Sequence, residues 1–190
     1  MHTKKFNFTI IGLSFIALLA ALQLLLEKIE LWKNPDYIPS CSWNPLFSCQ
    51  GPMESWQSAA LFIPNPVLGA MGFTGLIIVG ITALFTTLPK LYWKFYLAGV
   101  AFSYGYIFWL ITQSLYDIQA LCIYCMVVWA MVIPIFWISL TTYVKTFGKE
   151  TKTTERFYQS RWAIIIVNYF IVAGMIYFQF ADFFNFLIRN

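Results

Sequence analysis

Five apolar stretches constrain this chain more than anything else in it: Phe8 to Leu26, Val67 to Leu88, Leu91 to Leu115, Leu121 to Leu140 and Trp162 to Phe184. Each approaches the roughly 20 residues that a hydrocarbon core of about 30 Å requires. Within lipid every backbone N–H and C=O must find its partner inside the protein, so the runs predict helices and an all-α integral membrane protein. Only 11% of the residues are charged, where a soluble domain carries about a quarter. The first run follows a basic "MHTKK", as a secretory leader would. It is long, however, and "ALQLLLEKIELW" offers no clear small-residue cleavage site, so we expect a retained helix.

Orientation follows the lysines and arginines. With the amino end in the cytoplasm, that side receives Lys4, Lys5, Lys90, Lys94, Lys145, Lys149, Lys152, Arg156 and Arg161, and the other side receives only Lys28, Lys33 and Arg189. The carboxyl end then lies outside. The net charge of +4 is accounted for by short cytoplasmic turns that meet anionic membrane lipid, and no basic patch is left for nucleic acid. The setting expected is a membrane crossed several times.

A single transmembrane domain over 1–190 is the simplest organisation, because only the loop 27–65 is long enough for structure of its own. Within it "GPMESWQSAALF" reads as one short half-helix on the membrane surface, with Pro52 in its first turn and Met53, Trp56, Ala60 and Leu61 along one face. Asn65 is expected as the N-cap of the next helix, with Pro66 at its first position. Gly69, Gly72, Gly75 and Gly80 follow, allowing close approach of a second helix or of a flat ligand. The segment "KTFGKETKTTERFYQSR" reads as a solvated connector.

Four cysteines remain: Cys41 and Cys49 in the loop, and Cys122 and Cys125 at the start of the fourth run. All four fall on the extracytoplasmic side, where disulfides persist. Three chemistries compete for them. Structural zinc prefers pairs such as C-x₂₋₄-C, whereas seven residues separate Cys41 from Cys49, and His2 is on the wrong side, so no metal is expected. Static disulfides suit the loop pair but not Cys122 and Cys125, since a bridge across one helical turn closes a tiny loop and constrains little. C-x-x-C at a helix start instead favours the thiolate that attacks in exchange, so a redox relay is the third candidate.

The seven-residue gap, Ser55 and Trp56 in the loop, "NPVLG" at 65–69 and "LYDIQALCIYC" at 115–125 together resemble the vitamin K epoxide reductase family, over roughly 13–140. The other quinone-linked bacterial disulfide generator carries its C-x-x-C in the first outer loop; here that motif comes second, inside a helix. The resemblance implies a four-helix bundle around a quinone pocket, with a fifth helix at its side. It implies a lipid quinone, menaquinone or ubiquinone, as electron acceptor, and a thioredoxin-fold oxidase, expected as a separate protein, as the other partner. Carried over by position, Cys125 stands beside the quinone, Cys122 is its partner, Cys49 exchanges with Cys122, and Cys41 faces the soluble protein. Asn65 matches a residue whose amide bonds a quinone oxygen, although a plain helix cap explains it equally well.

One departure follows the second pair. Where vitamin K-reducing members have a tyrosine four residues after the second cysteine, this chain has Trp129, whose indole donates but does not accept. Quinone reduction is therefore expected rather than epoxide reduction. Trp56, Phe62, Phe108, Trp109 and Trp129 are the expected apolar walls. Asp36 and Asp117 are outer carboxylates without an assigned role. The alternative from another class is a membrane scaffold whose cysteines only staple its loop.

Overall fold

All five apolar runs form helices long and apolar enough to cross a membrane. The computed structural model describes residues 3–34, 36–44 and 46–181. Among them the helices are α1 (Lys4–Lys33), α2 (Gln50–Glu54), α3 (Asn65–Phe85), α4 (Lys90–Thr112), α5 (Ile123–Phe147), α6 (Lys152–Gln159) and α7 (Arg161–Gln179). A 3₁₀ turn spans Trp56–Ala59, and α4 runs on into a π-helical segment at Gln113–Ile118. The last residues of the fifth run, 182–184, lie outside the described residues, as do His2, Asp182 and Arg189.

Helix α1 is the spine, packing on α3 and on α5, while α5 also carries α4 on one flank and α7 on another. Helix α7 packs mainly on α5, with the Tyr104 hydroxyl of α4 donating to its Asn168 at 2.6 Å, and is the peripheral helix of an all-α membrane bundle. α3 and α4 are joined by the short link 86–89 yet pack on different neighbours. A gap therefore opens between them.

Several local expectations are corrected. α1 does not stop where its apolar count stops; it continues to Lys33, because the loop folds back over it and buries Glu27, Lys28 and Leu31. The single surface half-helix is instead two pieces, broken at Ser55, whose backbone is extended and whose hydroxyl donates to the Pro52 carbonyl. Met53 is thereby buried, while Trp56 stands exposed. Asn65 is not a cap but the first helical residue, since Pro64 precedes the helix and the Asn65 side chain is bonded elsewhere. The connector after α5 contains α6, capped by the Thr151 side chain on the Thr154 N–H and tied back by an ion pair between Glu155 and Lys145 at 2.9 Å.

The glycines of α3 divide between two tasks. A Cβ on Gly80 would lie 2.7 Å from Ile11 Cγ1 of α1, and one on Gly69 would lie 3.2 Å from Ala21 Cβ, whereas one on Gly72 or Gly75 meets nothing within 4 Å. Gly80→Ala should therefore overpack the α1 contact and destabilise by about 1–3 kcal/mol, while Gly72→Ala leaves stability nearly unchanged. Thermal unfolding in detergent measures both; equal shifts would contradict this division.

Candidate active site

The sequence "CSWNPLFSC" folds on itself through Asn44, whose side-chain oxygen accepts from the N–H groups of Leu46 at 3.0 Å and Phe47 at 2.7 Å. The Trp43 N–H closes the turn on the Phe47 carbonyl, and the Cys49 N–H reaches the Ser42 hydroxyl. These bonds bring Cys41 and Cys49 to a Cα separation of 5.7 Å, and the two form a disulfide.

The loop is then fastened to the start of α5. Leu121 donates to the Leu46 carbonyl at 2.8 Å and accepts from the Ser48 N–H at 3.1 Å, forming an isolated parallel bridge between Phe47 and Leu121. Cys49 stands two residues past Phe47 and Cys122 one past Leu121, and their sulfurs are 2.9 Å apart. Leu24 and Leu31 of α1 and Met53 of α2 enclose the group.

Cys122 and Cys125 are free thiols at the N-cap and within the first turn of α5. Hydrogen bonding with the Cys125 thiol, helped by the backbone N–H groups of Tyr124 and Cys125, holds the Cys122 thiol below its ordinary value; burial and the Glu27 charge oppose this. Cys41, Cys49 and Cys122 place three sulfurs within 4.8 Å of one another. Two of them are already joined, and a bonded pair beside a thiol of lowered pKa is arranged for exchange.

Below the cysteines, the gap between α3 and α4 is a cavity of about 560 Å³. Cys122 and Cys125 line its top, Trp129 and Val132 one wall, and Gly72 and Gly99 leave room where side chains would stand. Several polar groups stand at the cysteine end. Asn65 Nδ2 donates to the Gln57 carbonyl at 2.9 Å, and the Tyr106 hydroxyl donates to Asn65 Oδ1 at 2.8 Å. Gln57 Nε2 donates to Gln113 at 3.2 Å and to the Asp117 carboxylate. Gln57 Oε1 is buried without a partner among the described residues. A flat ring carrying oxygens at its edge fits such a cavity: apolar walls and an amide at Asn65.

Glu27 and Lys28, adjacent on α1, secure the surroundings. Glu27 accepts from the Tyr37 hydroxyl at 3.0 Å and from both the N–H and hydroxyl of Ser40, anchoring the loop just before Cys41. Lys28 donates to the Met53 carbonyl and the Ser58 hydroxyl, anchoring the segment that roofs the cavity.

Of the residues singled out from sequence, the four cysteines, Asn65 and Trp129 converge here. Trp56 does not line the cavity: it is 67% exposed, at the rim, with its ring 6.0 Å from that of Trp109. Phe62 is 99% exposed, because a positive φ of 63° in the turn before Pro64 projects its ring outward, so it forms no wall. Phe108 packs against Tyr104 instead. Asp117 is a partner of Gln57. Tyr106, Gln57 and Lys28 were not anticipated; Lys28 alone carried a signal, as a charge at the end of an apolar run.

Comparison with protein families matches residues 8–140 to the model described as the Vitamin K epoxide reductase family. No curated protein and no solved structure matches.

Alkylation of Cys122 followed by mass spectrometry against pH should titrate below the ordinary cysteine value of about 8.5, with the rate falling as pH drops through that midpoint and the thiolate is lost. A wild-type midpoint at or above the ordinary value would contradict the arrangement.

Proposed function

The chain belongs to the vitamin K epoxide reductase family, whose members are membrane oxidoreductases, and on that basis we propose that it couples quinone reduction to disulfide formation. One observation carries this reading: Cys122 stands 2.9 Å from Cys49 of the Cys41–Cys49 disulfide and also lines the apolar cavity together with Cys125. One thiol thus touches both a disulfide and a ring-sized space.

The oxidation pattern is that of a relay at rest between two steps, with the loop pair oxidised and the helix pair reduced. A thiolate of a reduced thioredoxin-fold partner attacks Cys41, Cys49 leaves, and the partner's second thiol completes its own disulfide. Cys49 next attacks Cys122 of an oxidised helix pair, releasing Cys125 as thiolate, and Cys41 resolves the mixed bond. One disulfide has moved outward and two electrons inward. Quinone, when bound, accepts two electrons and two protons and leaves as quinol. Cys122 and Cys125 supply both and re-form their S–S bond, so atoms and electrons balance.

Asn65 would hold a ring oxygen, its amide oriented by Tyr106, and Trp129 would lie along the ring. Cys41 is only 3% exposed, so partner engagement requires its loop to open; Ile38 and Trp43, each 70% exposed beside it, offer an apolar hold. We place the cysteine end outside a bacterial cytoplasmic membrane, with the amino end inside. Nine of the described basic residues lie at the opposite end of the helices, against Lys28 and Lys33 at the cysteine end, and this supports that orientation.

Purified protein should reduce a menaquinone or ubiquinone analogue at the expense of a reduced thioredoxin-fold protein, followed by quinone absorbance. An inactive wild type would overturn the proposal in favour of a scaffold. In Cys125→Ala the turnover should vanish and a stable Cys49–Cys122 disulfide, with Cys41 free, should accumulate on peptide mapping. Its absence would count against the assigned order of exchange.

A further inference from the structure

Lys28 is a buried cation; Glu54 lines a neighbouring hollow with it, but among the described residues no carboxylate stands within ion-pair distance. The extended end of α1 brings it under the roof segment, where 5% of the residue is exposed. Its ammonium donates to the Met53 carbonyl at 3.2 Å and to the Ser58 hydroxyl at 2.8 Å, and the Trp32 ring lies 5.6 Å away. Glu27, the nearest acid in sequence, faces the loop through Tyr37 and Ser40, and Lys28 makes no ion pair among the described residues.

An ammonium offers three N–H donors, and the two acceptors present are neutral. A clasp between α1 and the roof needs only a neutral donor; a full charge buried among neutral groups is a costly way to supply one. The charge becomes favourable when an anion joins it, and Lys28 lines the same cavity as Cys122, Cys125 and Asn65.

We propose that Lys28 is a binding residue for the anionic state of the quinone ring, holding the ring oxygen that bears negative charge. This rests on the quinone chemistry proposed above. Two electrons and two protons leave the Cys122 and Cys125 thiols as their S–S bond forms, and both protons end on the ring oxygens. Whenever the electron pair precedes the second proton, one ring oxygen is negative, and the ammonium compensates it without giving up its own proton. Asn65, a neutral amide, is suited to the other, uncharged oxygen.

The test is binding, read by quenching of tryptophan fluorescence in neutral detergent, with two probes of similar size. 2-Hydroxy-1,4-naphthoquinone is an anion at neutral pH; 2-methyl-1,4-naphthoquinone is uncharged. Lys28→Met should weaken the anion by about ten- to hundredfold, the range for a hydrogen bond to a charged group, and leave the neutral probe within about twofold. Lys28→Arg should retain anion binding. Ser58→Ala, which removes part of the clasp but not the charge, should retain it as well. Equal loss of both probes in Lys28→Met, or the same loss in Ser58→Ala, would reduce Lys28 to a clasp and overturn the proposal. A wild type that binds both probes with this selectivity but passes no electrons would sink the relay and leave Lys28 standing; one that binds neither would overturn both.

Discussion

The peptide of Leu121 holds the two halves of the site together. It is fully buried, so its N–H and C=O must both be paired, and Leu46 and Ser48 of the loop provide the partners. Each such bond contributes about 1 kcal/mol net, which is modest. Register is the larger effect. Side chains alternate along extended backbone, so a slip of one residue would turn Cys49 away from Cys122 and separate sulfurs that now stand 2.9 Å apart. The turn built on Asn44 and the start of α5 serve this same alignment from either side.

Around it, α1 uses successive residues for opposite duties. Adjacent helical positions point about 100° apart, so Glu27 and Lys28 face different segments, one the loop before Cys41 and the other the roof over the cavity. The roof is further tied by a string of side chains from Asp117 through Gln57 and Asn65 to Tyr106, joining the π segment, the 3₁₀ turn, α3 and α4. Polar groups removed from water are costly unless paired, and pairing them with one another specifies a single arrangement of the four elements. Among the described residues of this string only the Gln57 Oε1 is left without a partner.

The cavity exists because α3 leans on α1 rather than on α4. Its glycines show how one helix serves both sides: Gly69 and Gly80, eleven residues apart, fall within about 20° of each other on the helix, while Gly72 and Gly75 are rotated about 60° and 120° away. The first two let α1 approach closely. The others remove side chains from the wall opposite α4.

Much of this was legible from residue order. Five runs of apolar residues demand helices because lipid offers the backbone no partner, and the spacing of Cys122 and Cys125 at a helix start carries its chemistry locally. The gap of seven residues between Cys41 and Cys49, with Asn44 between them, is likewise short-range. Other features depended on distant partners. Where α1 ends was hidden, because Glu27 and Lys28 read as loop charges until the loop itself buried them. Phe62 and Trp56 read as walls by residue type, yet a positive φ and an extended Ser55 turned them outward. Tyr106 and Gln57 carry no local signature; Tyr106 acquires a role through Asn65, 41 residues away, and Gln57 through Asn65, 8 residues away, and Asp117, 60 away. Sequence thus determined which segments are apolar enough to cross lipid and how the cysteines are spaced in two pairs, since both follow from local composition and spacing. The tertiary structure alone decided which sulfur meets which, and what lies beneath them, because both depend on a backbone pairing across 73 residues and on which face of α1 each neighbour chose.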